Sequence, residues 1–206
     1  MKKIIIAHAL SIMLFVSLSS IVVGEEAAKQ TSQNIGTTTA NAESRDDWWR
    51  KLQWPESLCP RHGFEDDAGV KTYKMADGRE LVEVVCFLGA YQGQQIYYLR
   101  AKNGGFTLLE FDQFESPNKG VLEPYRAAEV TGSVQMTAAG GQLKVFRKYR
   151  GIGDCGQLLT YSLEKEQPQL VEFRTRQCDD DVKKYIPPDK WRKTPVAALP
   201  KLKKTH

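Results

Sequence analysis

Short runs of alternating apolar and polar residues, separated by turn-forming residues, fill the middle of the chain. The clearest turn is Asp77-Gly78, a dipeptide favoured in two-residue β-hairpins, and Asn103-Gly104-Gly105 is a second. Because a period of two places alternate side chains on opposite faces of a strand, each pair of runs predicts a hairpin. The four predicted pairs are 70–75 with 81–86, 95–101 with 106–111, 129–137 with 142–149, and 158–163 with 169–174.

Helical periodicity is scarce over the same region. Between Arg50 and Lys184, no window keeps apolar residues at helical spacing for long enough to compete with the strand pattern. The fold class that follows is all-β or nearly so, an antiparallel hairpin meander that forms a sandwich or a partly open barrel. One short helix is expected near Asp46-Asp47-Trp48-Trp49, where acids precede aromatic and basic residues.

The first 24 residues have the layout of a secretory signal. Lys2 and Lys3 precede an apolar run from Ile4 to Val23, and the small residues at its end favour cleavage after Gly24. The run is also about 20 residues long, which is the length that a retained transmembrane anchor needs. Cleavage is the favoured interpretation and the anchor is the alternative. We therefore expect a periplasmic or secreted bacterial protein without stable membrane insertion.

Composition divides the rest of the chain into three parts. Residues 25–44 are rich in Gln, Thr, Ser, Asn and Ala and offer little to bury, so they predict a disordered polar spacer. Residues 45–194 are the predicted β-rich domain. Residues 195–206 form a basic C-terminal tail that contains Pro195 and Pro200, and Trp191 is expected to anchor the chain just before it.

All four cysteines lie in the predicted domain, and an even number in an exported chain is the count expected for a disulfide framework. Of the three possible connectivities, we favour the sequence-local one, Cys59 with Cys86 and Cys155 with Cys178. Each bridge would close a loop of roughly 25 to 30 residues, worth about 3 to 4 kcal/mol in chain entropy. The sequence has no Cys-x-x-Cys arrangement with a His pair, so we predict neither a metal site nor a cofactor.

Charge and histidine content exclude several classes of function. The formal net charge of +4 comes from 29 basic and 25 acidic residues, and loss of Lys2 and Lys3 with the signal leaves 27 against 25. A nucleic-acid partner is therefore not expected. Of the three histidines, His8 leaves with the signal and His206 ends the chain, so His62 alone lies in the predicted domain. Catalysis by a Ser-His or Cys-His pair would have to use His62 as its histidine. An enzyme is therefore the less favoured interpretation.

Three motifs stand out in the predicted domain: Val85-Cys86-Phe87-Leu88-Gly89-Ala90-Tyr91-Gln92, then Arg150-Gly151-Ile152-Gly153-Asp154-Cys155-Gly156, then Cys178 with Trp191. Together they resemble the bacterial exported family catalogued as domain of unknown function 1176. Its members carry a Cys followed by Gly-Ala-Tyr, a Gly-Asp-Cys-Gly loop, and a later Cys and Trp. The resemblance covers roughly residues 57–194 and departs at Gln92, where members have Asn, and at Tyr161, where they have Trp. It implies an exported, disulfide-bearing protein without an established activity.

The candidate ligand-binding residues are Tyr91, Arg150 and Asp154. Tyr91 stands among small residues in Gly89-Ala90-Tyr91-Gln92-Gly93, which is typical of a loop that presents its side chain. Exposed Tyr and Arg together are common in recognition surfaces, and Tyr91 with Arg150 fits that pattern. For Tyr91, and equally for Tyr97, Tyr98 and Tyr161, packing in the core is the favoured interpretation and a role in recognition is the alternative.

We therefore expect an exported, envelope-associated binding module, monomeric, whose partner is an envelope protein or polysaccharide. The alternative is a carboxylate-dependent hydrolase of envelope glycans, for which two acids at a suitable separation suffice. Its candidate residues by location are Asp154, Glu110 and Glu172. Each also has a structural interpretation, Asp154 in a disulfide-bounded turn and the two Glu on the outer faces of strands.

Overall fold

The structure of the chain is a computed structural model that describes residues 43–62, 69–116, 120–137, 141–178 and 185–202. The predicted signal peptide, 1–24, and residues 25–42 of the predicted spacer lie outside the described residues, so both stay predictions. Within the described ranges, no helix has the length and the apolar character needed to cross a membrane.

A short helix lies where the acids precede two tryptophans. Helix α1 covers Arg45–Leu52 and begins after Ser44, whose hydroxyl accepts a hydrogen bond from the Asp47 backbone N–H at 3.2 Å. The Asp47 carboxylate accepts one in return from the Ser44 backbone N–H at 3.2 Å, which completes a capping box. The predicted helix is confirmed, with acids in its first turn and Arg50 and Lys51 in its last.

Eleven described strands follow: β1 (Val70–Lys74), β2 (Glu80–Leu88), β3 (Gly93–Arg100), β4 (Phe106–Leu108), β5 (Phe111–Glu115), β6 (Glu123–Ala127), β7 (Val130–Met136), β8 (Gln142–Lys148), β9 (Gly156–Ser162), β10 (Gln169–Arg176) and β11 (Lys193–Thr194). Nine form one antiparallel sheet in the order β1-β2-β3-β7-β8-β9-β10-β11, with β4 also paired to β3. Strands β5 and β6 form a separate two-stranded sheet. Because β1 and β11 end the main sheet, the described strands form an open sheet and not a closed barrel.

The predicted antiparallel, β-rich fold class is confirmed, and so are its four hairpins, β1–β2, β3–β4, β7–β8 and β9–β10. The single strand predicted over 106–111 is wrong. The Leu109 N–H still donates to the Tyr97 carbonyl at 2.9 Å, but the Glu110 N–H donates to the side chain of Gln167 at 3.0 Å. The chain therefore leaves the main sheet at Glu110 and enters the β5–β6 hairpin, which the sequence did not predict.

Strand β7 joins the two halves of the main sheet. Its first three residues pair with β3, and Ser133–Met136 pair with β8. The change of partner occurs next to Gly132, whose φ is 152° and where a Cβ would lie 2.8 Å from the Phe146 carbonyl oxygen. Only glycine fits such a close backbone approach, so Gly132 permits the sheet to turn over its own core.

The main core lies between the two halves. It contains Leu81, Tyr97 and Leu99 from β2 and β3, together with residues of β8, β9 and β10 such as Leu159 and Phe173. Phe111 from the small sheet lies between two tyrosine rings, 5.7 Å from Tyr97 and 5.0 Å from Tyr161 between centroids, in edge-to-face contacts. Tyr97, Tyr98 and Tyr161 are all buried, so core packing is the correct interpretation for these three tyrosines.

One carboxylate is buried on the core side of β2. Glu83 accepts hydrogen bonds from the phenol groups of Tyr73 at 3.0 Å and Tyr97 at 3.2 Å. Burial raises the pKa of Tyr73 to about 12, with a further contribution from the Glu83 charge, and raises the pKa of Tyr97 well above its ordinary value for the same two reasons. The site therefore keeps both phenols protonated.

A second apolar cluster covers the opposite face of β2 and β3. Val82, Val84 and Ile96 meet Leu52 of α1 and the buried ring of Trp54 there. The Trp54 indole N–H donates to the Cys59 carbonyl at 3.0 Å, and Cys59 bonds to Cys86 on β2. Strand β2 is thus buried on both faces, which explains its nearly continuous apolar run.

Both predicted disulfides are confirmed. Cys59–Cys86 joins Cα atoms 4.7 Å apart, and Cys155–Cys178 joins Cα atoms 5.0 Å apart. No cysteine is left free.

The chain stays packed beyond Thr194, where the predicted domain ended. Trp191 is buried as expected, with its indole N–H donating to the Ile186 carbonyl at 2.8 Å and its ring 5.6 Å from that of Phe146. Leu199 also enters the main core. The predicted basic tail therefore begins with residues that belong to the fold.

Candidate recognition surface

Two loops meet at one end of the main sheet. The β2–β3 loop, residues 89–92, carries Tyr91, and the β8–β9 loop, residues 149–155, carries Arg150. The Lys148 backbone N–H donates to the Gln92 side-chain oxygen at 2.9 Å, and the Lys148 ammonium donates to the Tyr91 carbonyl at 3.3 Å. These hydrogen bonds attach the first loop to the end of β8.

The Tyr91 ring lies directly against the β8–β9 loop. A Cβ placed on Gly151 would be 2.8 Å from Cε1 of Tyr91, so the ring lies against a position that has no side chain. Each loop also lies close to a disulfide, since Cys86 is near the end of β2 and Cys155 immediately precedes β9. Each of the two loops in contact thus has one end near a disulfide.

A cavity of about 440 Å³ lies between the two loops. Its lining includes Phe87, Tyr91, Gln92, Lys148, Tyr149 and Arg150. A second cavity of about 330 Å³ shares Gln92, Lys148 and Tyr149 with it and adds Glu115 and Arg147. The two cavities therefore adjoin each other at the three shared residues. Aromatic and cationic side chains line the first cavity, and a larger share of the residues that line the second is charged.

Arg150 forms an ion pair with the buried carboxylate of Asp154. The guanidinium donates from Nε to Oδ1 at 2.8 Å and from Nη2 to Oδ2 at 2.5 Å, a two-point ion pair across one turn of the loop. The hydrogen bonds from Arg150 lower the pKa of Asp154, and the charges of Arg150 and Arg176 act in the same direction. The carboxylate is thus ionised at neutral pH and fixes the orientation of the guanidinium.

The structure brings the three predicted site residues together, two of them at the surface of the cavity and one buried behind it. Tyr91 and Arg150 both line the first cavity. Asp154 does not line it and is only 3% exposed, whereas the side chain of Arg150 is 34% exposed. Asp154 therefore lies behind Arg150 and acts on the cavity through it.

The loops also expose large apolar side chains. Phe87 is 61% exposed, Leu88 69%, Tyr91 68% and Ile152 68%. Leu88 follows Phe87 at the end of β2, and Ile152 follows the glycine that contacts Tyr91. Phe87 and Tyr91 line the first cavity with the two cations, and Leu88 and Ile152 are next in sequence to lining residues. Exposed apolar residues that form a patch mark interaction surfaces. We call Phe87, Leu88, Tyr91, Lys148, Arg150 and Ile152 the recognition surface.

Sequence reasoning missed Phe87, Leu88, Lys148 and Ile152. Phe87 and Leu88 extend the apolar run of β2 beyond Cys86, and a strand that stays apolar after its last core position gives a usable signal for an exposed patch. The sequence contains no such signal for Lys148. Its role depends on the contact between the end of β8 and the β2–β3 loop, which are far apart in sequence.

The three carboxylates considered for a hydrolase lie in different environments. Hydrogen bonds from Lys193 and Arg174 lower the pKa of Glu172, and the pKa of Asp154 is lowered as described. In each case the neighbouring cations stabilise the ionised form of the carboxylate. Glu110 is exposed and lies between β4 and β5, not on the outer face of a strand as expected.

In the described part of the chain, no group of three or more His, Cys, Asp and Glu side chains is arranged to hold a metal ion. His62 is exposed, and its Nδ1 lies 3.8 Å from the carboxylate of Asp46. A scan against protein-family models finds no match to the chain, and comparisons with curated proteins and with solved structures find none either.

Proposed function

We propose that the protein is an exported binding module that engages an envelope partner through the recognition surface. The observation that carries the proposal is the contact between Tyr91 and the β8–β9 loop, which joins an exposed aromatic ring to the cations Lys148 and Arg150. Aromatic and arginine side chains dominate binding energy in protein interfaces. The partner is an envelope protein or polysaccharide.

The periplasmic or secreted location is part of the proposal. Two disulfides with no free cysteine support an oxidising compartment, and the predicted signal at residues 1–24 supports export. The resemblance to the exported family named above points the same way and stays a prediction. A monomer is the expected state of the mature chain.

Binding to extracted envelope components tests the proposal. Mature protein, residues 25–206, is immobilised and incubated with periplasmic and outer-envelope fractions, beside Tyr91→Ala. The control is Val171→Ala, which truncates an exposed apolar side chain on β10, outside the recognition surface. We expect one stoichiometric partner that is retained by the wild type and by Val171→Ala and is lost from Tyr91→Ala. Equal retention by all three proteins would contradict the proposal.

A further inference from the structure

We propose that the partner is a protein segment that presents an acidic side chain flanked by large apolar side chains, and that Lys148 and Arg150 bind its carboxylate. The inference rests on the proposed function, because it names the chemistry of the partner for the same surface. Three features carry it: the sign of the charge in the first cavity, the fixed orientation of Arg150, and the kind of apolar residue in the recognition surface.

The charged residues of the first cavity are both cations. Lys148 and Arg150 line it, and the described residues around it include no acid. Asp154 offsets part of the Arg150 charge from below, and Arg176 lies close enough to lower the pKa of the same carboxylate. A carboxylate that enters the cavity therefore meets the ammonium of Lys148 and a guanidinium already paired with Asp154, and it is favoured there over a cationic group.

Arg150 is fixed in orientation before any partner arrives. Its two hydrogen bonds to the buried Asp154 restrict the rotamers of a long side chain whose immobilisation would otherwise reduce affinity. Lys148 is similarly restrained by its hydrogen bond to the Tyr91 carbonyl, which uses one of the three donors of an ammonium group. Asp154 is a positioning residue in this arrangement.

The apolar residues favour a protein over a polysaccharide. Leu88 and Ile152 are branched aliphatic side chains, and both are more than two-thirds exposed. Phe87 and Tyr91 present rings on which a sugar can stack, but Leu88 and Ile152 offer neither a flat ring nor a hydrogen bond for a hydroxyl group. Apolar side chains of a protein would cover them together with Phe87, as in the core of a protein interface.

Selection from a random dodecapeptide library displayed on phage tests the inference. The library is selected on mature wild-type protein, and binders that also bind Tyr91→Ala are removed. A glycan array of neutral and acidic oligosaccharides is probed with the same two proteins. We expect Tyr91-dependent peptides enriched in Asp or Glu next to Leu, Ile, Phe or Trp.

Affinity measurements on one selected peptide test the role of the cations. Lys148→Gln should weaken binding about tenfold and reduce its dependence on salt, while Lys165→Gln, in the β9–β10 turn at the other end of β9, should not. Changing the peptide acid to its amide should weaken binding to the wild type by a similar factor. The same change should have little further effect on Lys148→Gln.

The outcomes separate the inference from the proposed function. Tyr91-dependent peptides without acid enrichment would overturn the acidic partner and leave the recognition surface in place. Tyr91-dependent binding only to glycans would overturn the protein class and also leave it in place. If every peptide and glycan that binds the wild type also binds Tyr91→Ala, so that removal leaves none, both are overturned.

Discussion

The side-chain oxygen of Gln92 accepts a hydrogen bond from the backbone N–H of Lys148 at 2.9 Å, and this joins the β2–β3 loop to the end of β8. Gln92→Ala removes the acceptor and leaves that N–H without its partner. We expect the free energy of unfolding to fall by about 1 kcal/mol and amide exchange in residues 89–92 to accelerate. Gln135→Ala, at an exposed position on β7, should change neither quantity. Unchanged exchange in Gln92→Ala would show that the loop is held by other contacts.

Gly151→Ala should displace Tyr91 without unfolding the protein. The added methyl would lie 2.8 Å from Cε1 of the tyrosine ring, and an exposed side chain can rotate away more easily than backbone can move. We expect the melting temperature to stay close to that of the wild type while partner binding weakens about tenfold. Gly141→Ala is the matched control, since its added methyl meets nothing within 4 Å. Calorimetry and pulldown on the same preparations give both readouts.

Asp154→Asn should reduce stability at neutral pH, and the difference from the wild type should shrink in acid. The pKa of Asp154 lies below its ordinary value of 3.8 in the folded protein, so its ion pair stabilises the fold above that pH. This contribution is lost as the pH falls from 3.8 through the lower pKa of the folded state. Urea unfolding as a function of pH measures the difference. Asp189→Asn, which alters an exposed pair with Lys190, should follow the wild type at every pH.

Each disulfide should contribute about 3.5 kcal/mol to the free energy of unfolding, because the bridges span 27 and 23 residues. Cys59→Ala with Cys86→Ala removes the first bridge, and Cys155→Ala with Cys178→Ala removes the second. We expect the second pair to lose partner binding as well, since Cys155 is the last residue of the loop that carries Arg150. Thiol counting on denatured, unreduced wild-type protein should find no free thiol. Four free thiols would contradict both bridges.

The fold should lose stability steeply in strong alkali. Burial raises the pKa of both Tyr73 and Tyr98 to about 12, against 10.0 for an ordinary tyrosine. A pKa raised by folding means that the stabilisation is complete below pH 10.0 and is lost as the pH rises toward 12. Tyr98→Phe should flatten this decline, and exposed Tyr91→Phe should not. Denaturant unfolding and tyrosinate absorbance over this range provide the measurement.

Local patterns predicted the hairpins and the disulfides because their determinants are close in sequence. Asp77-Gly78 specifies its own turn, and the cysteines pair with their nearest neighbours. The end of β4 before Glu110 could not be predicted from the local sequence. It depends on the hydrogen bond from the Glu110 N–H to the side chain of Gln167, which lies 57 residues away in the β9–β10 turn. Apolar residues continue on both sides of the break, so alternation alone gives no sign of it.

The recognition surface was predictable only in part. Tyr91 and Arg150 were indicated by their small neighbours and by residue type, and the structure places both at one cavity. The depth of Asp154 was not predictable, because a short acidic side chain between Gly153 and Cys155 suits an exposed turn equally well. Its burial follows from the ion pair with Arg150, which only the folded loop creates.

The nearest-neighbour connectivity of the cysteines has a consequence for how the protein is made. A chain that emerges from its N-terminus exposes Cys59 and Cys86 before either cysteine of the second bridge. An oxidant that joins thiols in their order of appearance would therefore produce the native pairing directly. Maturation of this protein should require an enzyme that forms disulfides and no isomerase that reshuffles them.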